Sequence, residues 1–96
     1  MEKEQTTGIV DPLTDENTSV GFPFKVIVYN DEIHTFDEVI NQLIKAIGCS
    51  FDEAKHFAFT IHVKGLAIVY FGDISACLKI TSVLEEIGLH TQILSE

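Results

Sequence analysis

Hydrophobic positions along residues 24–94 follow two different periods, and the changes from one period to the other predict six elements of secondary structure. Short runs rich in β-branched and aromatic residues predict strands at 24–29, 66–71 and 90–94. Apolar residues three or four positions apart predict helices at 35–47, 50–62 and 72–87. The order βααβαβ indicates an α+β domain in which three helices pack against a three-stranded sheet.

The first two predicted helices each begin with a capping box, formed by Thr35 with Glu38 and by Ser50 with Glu53. Gly48 stands where a glycine commonly ends a helix. The core-facing side chains are expected on one apolar stripe of each helix: Val39, Ile40, Leu43, Ile44 and Ile47; Phe51, Ala54, Ala58 and Ile61; and Ile74, Cys77, Leu78, Leu84 and Ile87.

Composition changes near Gly21 and divides the chain into a predicted tail and a predicted core. Residues 1–21 carry five acidic side chains and one Lys, and their few aliphatic residues follow no period. Such a segment buries too little apolar surface to offset the entropy lost on ordering, so we expect a flexible acidic tail. Residues 22–96 hold nearly all the aromatic and branched residues and are expected to form one domain.

The charge of the chain narrows the range of partners. Its formal net charge is -9, and all six of its cationic side chains other than His are Lys. An acidic chain without Arg lacks the usual bidentate reader of phosphate and guanine, so binding to nucleic acid or to anionic membranes is not expected. A cationic ligand or a small basic surface on a partner fits better.

Cysteine usage and hydropathy add two further expectations. Cys49 and Cys77 are too few and too far apart for a zinc-finger or CxxC pattern, and we expect buried thiols that pack as small hydrophobic groups. The chain shows no signal peptide and no apolar run of membrane-spanning length, so the cytoplasm is the default expectation.

An acceptor-rich segment follows the first predicted strand. Asn30, Asp31, Glu32 and His34 come directly after the apolar run and directly before the first helix. Carboxylate and amide oxygens at a strand end, without Arg or clustered Lys, suit a cationic ligand such as an ammonium group. The alternative is an ordinary turn, since Asn and Asp favour turns for local reasons.

The ordered combination of these features resembles the ClpS family. It consists of Lys-Val-Ile-Val-Tyr-Asn-Asp-Glu, a helix pair, the segment Ile-His-Val-Lys-Gly at 61–65 and an apolar strand, and it extends over residues 22–94. The resemblance implies an adaptor rather than an enzyme. ClpS proteins bind the free α-amino group and the first side chain (Phe, Leu, Tyr or Trp) of N-degron substrates and deliver them to a ClpA- or ClpC-type AAA+ unfoldase coupled to ClpP.

The same resemblance assigns roles to individual residues. The amine is held at the positions of Asn30, Asp31 and His62, and the acidic contact with the unfoldase corresponds to Asp73. No cofactor or metal is implied, and we expect a monomer. The first side chain of the substrate is implied to enter a pocket lined by Val28, His34, Phe36, Val39, Ala58, Ile61 and Leu89.

This chain also departs from the family pattern at the pocket. Glu32 and His34 stand where the family usually has Asp and Thr, while Phe36 and Ala58 each replace a Met. A larger side chain at one wall and a smaller one at another imply a reshaped pocket, so we expect an altered preference for the first residue. The connection before the last strand is shorter than in the family, which weakens the assignment of Leu89.

Two hypotheses from other functional classes remain at this stage. In the first, Asp31, His34 and His62 form a metal or acid–base site, although no HxxxH-type spacing supports it. In the second, the chain is a plain interaction domain like the C-terminal domain of the ribosomal stalk protein. That domain carries a Lys-rich face, whereas the five Lys of this core are scattered among ten acidic residues.

Overall fold

The computed structural model describes residues 23–95, so the predicted tail at 1–21 lies outside the described residues. The fold class is confirmed, and each boundary lies within two residues of the predicted one. The elements, in chain order, are strand β1 (Phe24–Tyr29), helix α1 (Phe36–Ile47), helix α2 (Phe51–Lys64), strand β2 (Leu66–Gly72), helix α3 (Ile74–Glu85) and strand β3 (His90–Ser95).

The central strand of the sheet is β1, which pairs antiparallel with both β2 and β3. The strand order β2-β1-β3 means that the last strand of the chain pairs with the first. The helices cover one face of the sheet, and their apolar stripes meet the inward side chains of the strands. The resulting core consists of Val26, Val28, Ile40, Leu43, Ala54, Ala58, Ile61, Ala67, Val69, Cys77, Ile80, Leu84 and Leu89.

Both predicted capping boxes are confirmed. The Thr35 hydroxyl accepts a hydrogen bond from the Glu38 N–H at 3.1 Å, and the Glu38 carboxylate accepts one from the Thr35 N–H at 2.8 Å. Ser50 and Glu53 make the equivalent pair at 3.1 and 3.0 Å. Gly48 follows α1 with φ of 68°, a left-handed conformation that glycine adopts at little cost.

Part of the predicted core was wrong. Phe51, the first residue of α2, is 58% exposed, and the buried side of α3 is only partly the predicted one. Ile80 and Thr81 are buried, together with Cys77 and Leu84 as predicted. Because α3 carries apolar residues around much of its circumference, periodicity alone did not identify its buried side. The exposed fractions of the misassigned residues of α3 and its following turn are 42% for Ile74, 53% for Leu78 and 36% for Ile87.

The two thiols are free, and they differ in burial. Cys77 is fully buried in α3 as expected, whereas Cys49, between α1 and α2, is only partly buried. Burial raises the pKa of both thiols, which favours the unreactive protonated form. Within residues 23–95, no helix combines the length and the apolar character needed to span a membrane.

Candidate functional site

One backbone hydrogen bond joins the end of β1 to the end of α2. The Asn30 N–H donates to the carbonyl of Gly65 at 2.9 Å. Gly65 caps α2 with φ of 90°, and its own N–H donates to the Ile61 carbonyl at 2.9 Å. Since His62 lies in the last turn of α2, this arrangement brings Asn30 and His62, far apart in sequence, to one site.

A pocket of about 590 Å³ lies between the β1–α1 turn, the start of α1 and the end of α2. All three residues predicted to bind an amine line it, and so do five of the seven predicted for the side-chain pocket. Carboxylate, amide and imidazole groups therefore share one opening with an apolar wall. The lining residues are Asn30, Asp31, Glu32, His34, Thr35, Phe36, Val39, Ala58, Ile61 and His62.

The other two residues predicted for the side-chain pocket, Val28 and Leu89, line an adjoining cavity of about 20 Å³. Both side chains are buried, with exposed fractions of 0% and 4%. The two spaces share part of their lining, namely Asn30, Asp31, His34, Val39 and Ile61.

Asp31 organises the turn between β1 and α1. Its Oδ1 accepts hydrogen bonds from the N–H groups of Ile33 at 3.0 Å and His34 at 2.9 Å, and its Oδ2 lies 2.7 Å from Nδ1 of His34. The His34 N–H contributes most to lowering the pKa of this carboxyl, with smaller contributions from the His34 ring and the Ile33 N–H. A carboxylate accepts about four hydrogen bonds, so roughly one acceptor position of Asp31 remains for a ligand.

His34 connects this turn to the end of α3. Its Nδ1 faces Asp31 and its Nε2 faces the carbonyl of Ile87. Both partners are acceptors. Only the protonated ring, which carries a hydrogen on each nitrogen, can donate to both at once. The hydrogen bond with Asp31, followed by that with the Ile87 carbonyl, raises the pKa of His34. From the sequence His34 could line the pocket or cap the turn, and the structure shows that it does both.

Three of the other polar side chains in the pocket are uncommitted, while the Thr35 hydroxyl is used in its capping box. In the part of the chain that the structure describes, the side chains of Asn30, Glu32 and His62 hydrogen-bond to no other residue, and all three residues are exposed. Glu32 and Thr35 were not among the predicted site residues, although Glu32 belongs to the acceptor-rich segment that drew attention to the site. The pocket thus offers three free polar side chains around the Asp31 carboxylate.

The apolar walls of the pocket come from the two helices. Phe36, the first residue of α1, lines the opening with 39% of its surface exposed. Ala58, Ile61 and Val39 form the deeper wall, and Ala58 and Ile61 are each only 3% exposed. The large side chain of Phe36 and the small one of Ala58 therefore line the same pocket, one from each helix.

Asp73, the predicted contact with an unfoldase, is the N-cap of α3. Its Oδ1 accepts a hydrogen bond from the Ala76 N–H at 2.8 Å, and its side chain is exposed. It lies outside the pocket described above. Among residues 23–95, no three His, Cys, Asp or Glu side chains come together as a metal site requires, so this region gives the metal hypothesis no support.

Comparison with protein families gives a match over most of the chain. The model of the ATP-dependent Clp protease adaptor protein ClpS matches residues 21–92. The ClpS adapter of Synechocystis is 38% identical over 73 residues, which cover 75% of this chain and 74% of that protein. Among solved structures, Agrobacterium tumefaciens ClpS2 bound to L-phenylalaninamide is similar, with a TM-score of 0.69 and 23% identity over 79% of this chain and 99% of that one.

Eukaryotic ubiquitin ligases also contain a similar segment. The human E3 ubiquitin-protein ligase UBR2 is 40% identical over 58 residues, and the Drosophila ligase UBR1 is 33% identical over 76 residues. These segments cover 60% and 78% of this chain but only 3% and 4% of the ligases, so this chain corresponds to a small part of them. The family model and the Synechocystis relative, which both extend over most of the folded core, show that the chain belongs to the ClpS family of Clp protease adaptor proteins.

Proposed function

We propose that this protein binds the free α-amino group and the bulky apolar first residue (Phe, Leu, Tyr or Trp) of N-degron substrates and delivers them to a ClpA- or ClpC-type AAA+ unfoldase for degradation by ClpP. The observation that carries the proposal is the single pocket in which uncommitted polar side chains lie beside an apolar wall. The polar groups select a free N-terminal amine over an internal amide, and the apolar wall selects a bulky apolar first residue.

The polar part of the pocket suits an ammonium group. An ammonium ion has one charge and three N–H donors, and it needs two or three acceptors. Asn30 supplies a free amide oxygen, neutral His62 supplies a ring nitrogen, and Asp31 supplies charge and one remaining acceptor position. Glu32 adds a second carboxylate at the same opening. An acetylated amine has one donor and no charge, so it leaves these acceptors unpaired at roughly 1–3 kcal/mol each.

The apolar part of the pocket suits a large hydrophobic side chain. Burying a Phe or Leu side chain contributes about 1.5–3 kcal/mol. Val39, Ala58 and Ile61 offer the surface for this burial, with Phe36 at the opening. The ligand of the structurally similar ClpS2, L-phenylalaninamide, combines a free α-amine with a Phe ring, the two features for which this pocket is suited.

The test is a binding titration with peptides that differ only in their first residue, each prepared with a free and with an acetylated amine. We expect peptides with Phe, Leu, Tyr or Trp first to bind, and their acetylated forms to bind at least about tenfold more weakly. Peptides with Ser or Glu first serve as matched controls. Equal affinity for free and acetylated peptides would instead favour an interaction domain without amine selectivity.

Delivery is the second half of the proposal and has its own experiment. The acidic composition of residues 1–21 is that of a flexible extension, and ClpS proteins use such an extension for delivery but not for peptide binding. Deleting residues 1–21 should leave peptide affinity intact and stop degradation of an N-degron reporter in a reconstituted ClpA–ClpP or ClpC–ClpP assay. Unimpaired degradation would show that the extension is dispensable.

Asp73 offers a point variant for the same assay. Asn is as good an N-cap as Asp, so Asp73→Asn should preserve α3 while removing the charge proposed to contact the unfoldase. We expect unchanged peptide affinity and slower degradation. Full degradation activity of Asp73→Asn would remove this residue from the delivery surface.

A further inference from the structure

Two adjoining cavities share His34 in their lining. The large pocket has a volume of about 590 Å³, and the small cavity, of about 20 Å³, is also lined by Val28 and Leu89. The volume of the small cavity is close to that of a single water probe. The residues that line both spaces are Asn30, Asp31, His34, Val39 and Ile61.

The ring of His34 is fixed along its edge. Nδ1 is held by the Asp31 carboxylate and Nε2 by the Ile87 carbonyl. Cε1 lies beside Gly88, at 3.9 Å from the point where a Cβ on that glycine would stand. The atoms left to line cavities are therefore Cδ2 and the two faces of the ring. A planar ring that is held at both nitrogens and lines both spaces can form a rigid wall between them.

We propose that His34 is a specificity-determining residue that closes the base of the pocket and separates it from the cavity lined by Val28 and Leu89. The ring sets how deeply the first side chain of a substrate enters. The inference rests on the proposed function, since it concerns the substrate side chain in the same pocket. It also accounts for why Val28 and Leu89 line the small cavity and not the large pocket.

The first test removes the partition and measures the ratio of affinities for peptides that begin with Trp and with Leu. His34→Ala joins the two spaces, so the larger side chain gains buried surface that the smaller one does not reach. We expect the ratio to move toward Trp by about fourfold, the effect of burying roughly one additional methylene group. His34→Ser provides the same test where His34→Ala does not fold.

The matched control is His34→Phe, which keeps a planar ring of similar reach but lacks both ring nitrogens. It loses the hydrogen bonds to Asp31 and Ile87, so affinity for all free-amine peptides should fall while the Trp-to-Leu ratio stays at its wild-type value. An unchanged ratio in His34→Ala and in His34→Ser would overturn the inference. So would a ratio that shifts equally in His34→Phe and His34→Ala, because the hydrogen bonds and not the wall would then set it.

The second test uses a residue behind the partition. Leu89→Val enlarges the small cavity by about one methylene group with a modest effect on stability. In the wild-type background the His34 ring keeps the peptide side chain away from position 89. The ratio of affinities for Trp-first and Leu-first peptides should therefore not change. In the His34→Ala background the same substitution should change the ratio by about twofold or more.

The outcomes separate this inference from the proposed function. A ratio that responds to Leu89→Val while His34 is intact would overturn the partition and leave the proposed function standing. Wild-type protein that binds free and acetylated peptides equally would overturn the proposed function, and this inference with it. Two results together would support the proposed function and this inference: selective binding of free amines, and an effect of Leu89→Val on the Trp-to-Leu ratio that appears only when His34 is replaced by Ala.

Discussion

Two parts of the pocket satisfy their polar groups in opposite ways. On the turn side, Asp31 and His34 are hydrogen-bonded to each other, to the backbone of the turn and to the Ile87 carbonyl. On the α2 side, His62 lines the same opening and hydrogen-bonds to no other residue in the described part of the chain. The Asp31–His34 pair is thus held by its own network, while His62 presents a free side chain.

This difference indicates that the two groups contribute to binding in different ways. A carboxylate that accepts three intramolecular hydrogen bonds is fixed in position before a ligand arrives, so little entropy is lost in orienting it. A free imidazole at a helix end can turn its acceptor nitrogen toward the ligand. Substitution of Asp31 or His34 should therefore change both stability and binding, whereas substitution of His62 should change binding alone.

The largest expected effect comes from breaking the turn side. Asp31→Ala removes the acceptor of three hydrogen bonds, and we expect the free energy of unfolding to fall by about 1–3 kcal/mol. The same variant loses the charge proposed to face the amine, so peptide binding should weaken by at least about tenfold. Urea unfolding and peptide titration measure the two effects on one sample.

Asp31→Asn is the matched control, because an amide oxygen supports the same turn without the charge. It should keep most of the stability and lose most of the amine binding. A normal peptide affinity in Asp31→Asn would mean that Asp31 only shapes the turn and that Glu32 carries the charge.

On the α2 side, His62→Ala should weaken binding of free-amine peptides by about tenfold, the effect of losing one hydrogen bond to a charged group. His62 is exposed and has no hydrogen-bond partner in the described region, so the free energy of unfolding of this variant should differ from that of the wild type by less than about 0.5 kcal/mol. His56, exposed on the same helix but outside the pocket, is the control: His56→Ala should alter neither quantity. Marked destabilisation by His62→Ala would contradict the contrast between the two sides.

The pH dependence of stability should come from the turn side. The pKa of His34 is raised by its hydrogen bonds, so its contribution is fully present below about pH 6.5 and is lost as the pH rises through the raised value. The pKa of Asp31 is lowered, so its contribution is present above about pH 3.9 and is lost as the pH falls through the lowered value. The network should therefore stabilise the fold most between about pH 4 and 6.5.

A comparison of wild type with His34→Gln isolates this effect. In urea unfolding near pH 5.5 the wild type should be more stable by about 0.5–1.5 kcal/mol, and the difference should shrink toward pH 9. Asp31 and Glu38 are the anionic groups that act on this ring, and both remain in the variant. A difference that stays constant with pH would mean that the protonated form of His34 is not the stabilising one.

The smallest expected effect concerns the apolar walls, where Phe36 on α1 is large and Ala58 on α2 is small. Phe36→Ala should lower affinity for a Phe-first peptide by about 0.5–1.5 kcal/mol through lost ring contact. It should also open the α1 wall and admit the β-branched residues Ile and Val, which we expect the wild type to reject. Affinities for Ile, Val, Leu and Phe peptides that keep their ratios would show that Phe36 does not act as a gate.

The sequence by itself determined the caps and turns. The capping boxes at Thr35 and Ser50, the glycine after α1 and the turn at Asp31 all form between residues close along the chain, so their side chains carry the information. The order of the elements was predicted from the hydrophobic pattern, and the convergence of Asn30 and His62 was expected from the family resemblance. The pocket shows that these residues do lie together.

Only the tertiary structure decided the features that join distant segments. No local signal pairs His34 with the Ile87 carbonyl, which lies 53 residues further along the chain, or places β1 between β2 and β3. The same holds for the exposed side of α3, where apolar Ile74 and Leu78 face solvent while Thr81 is buried. Such contacts form because a small core packs one combination of surfaces best, and that choice depends on the shapes of all the elements at once.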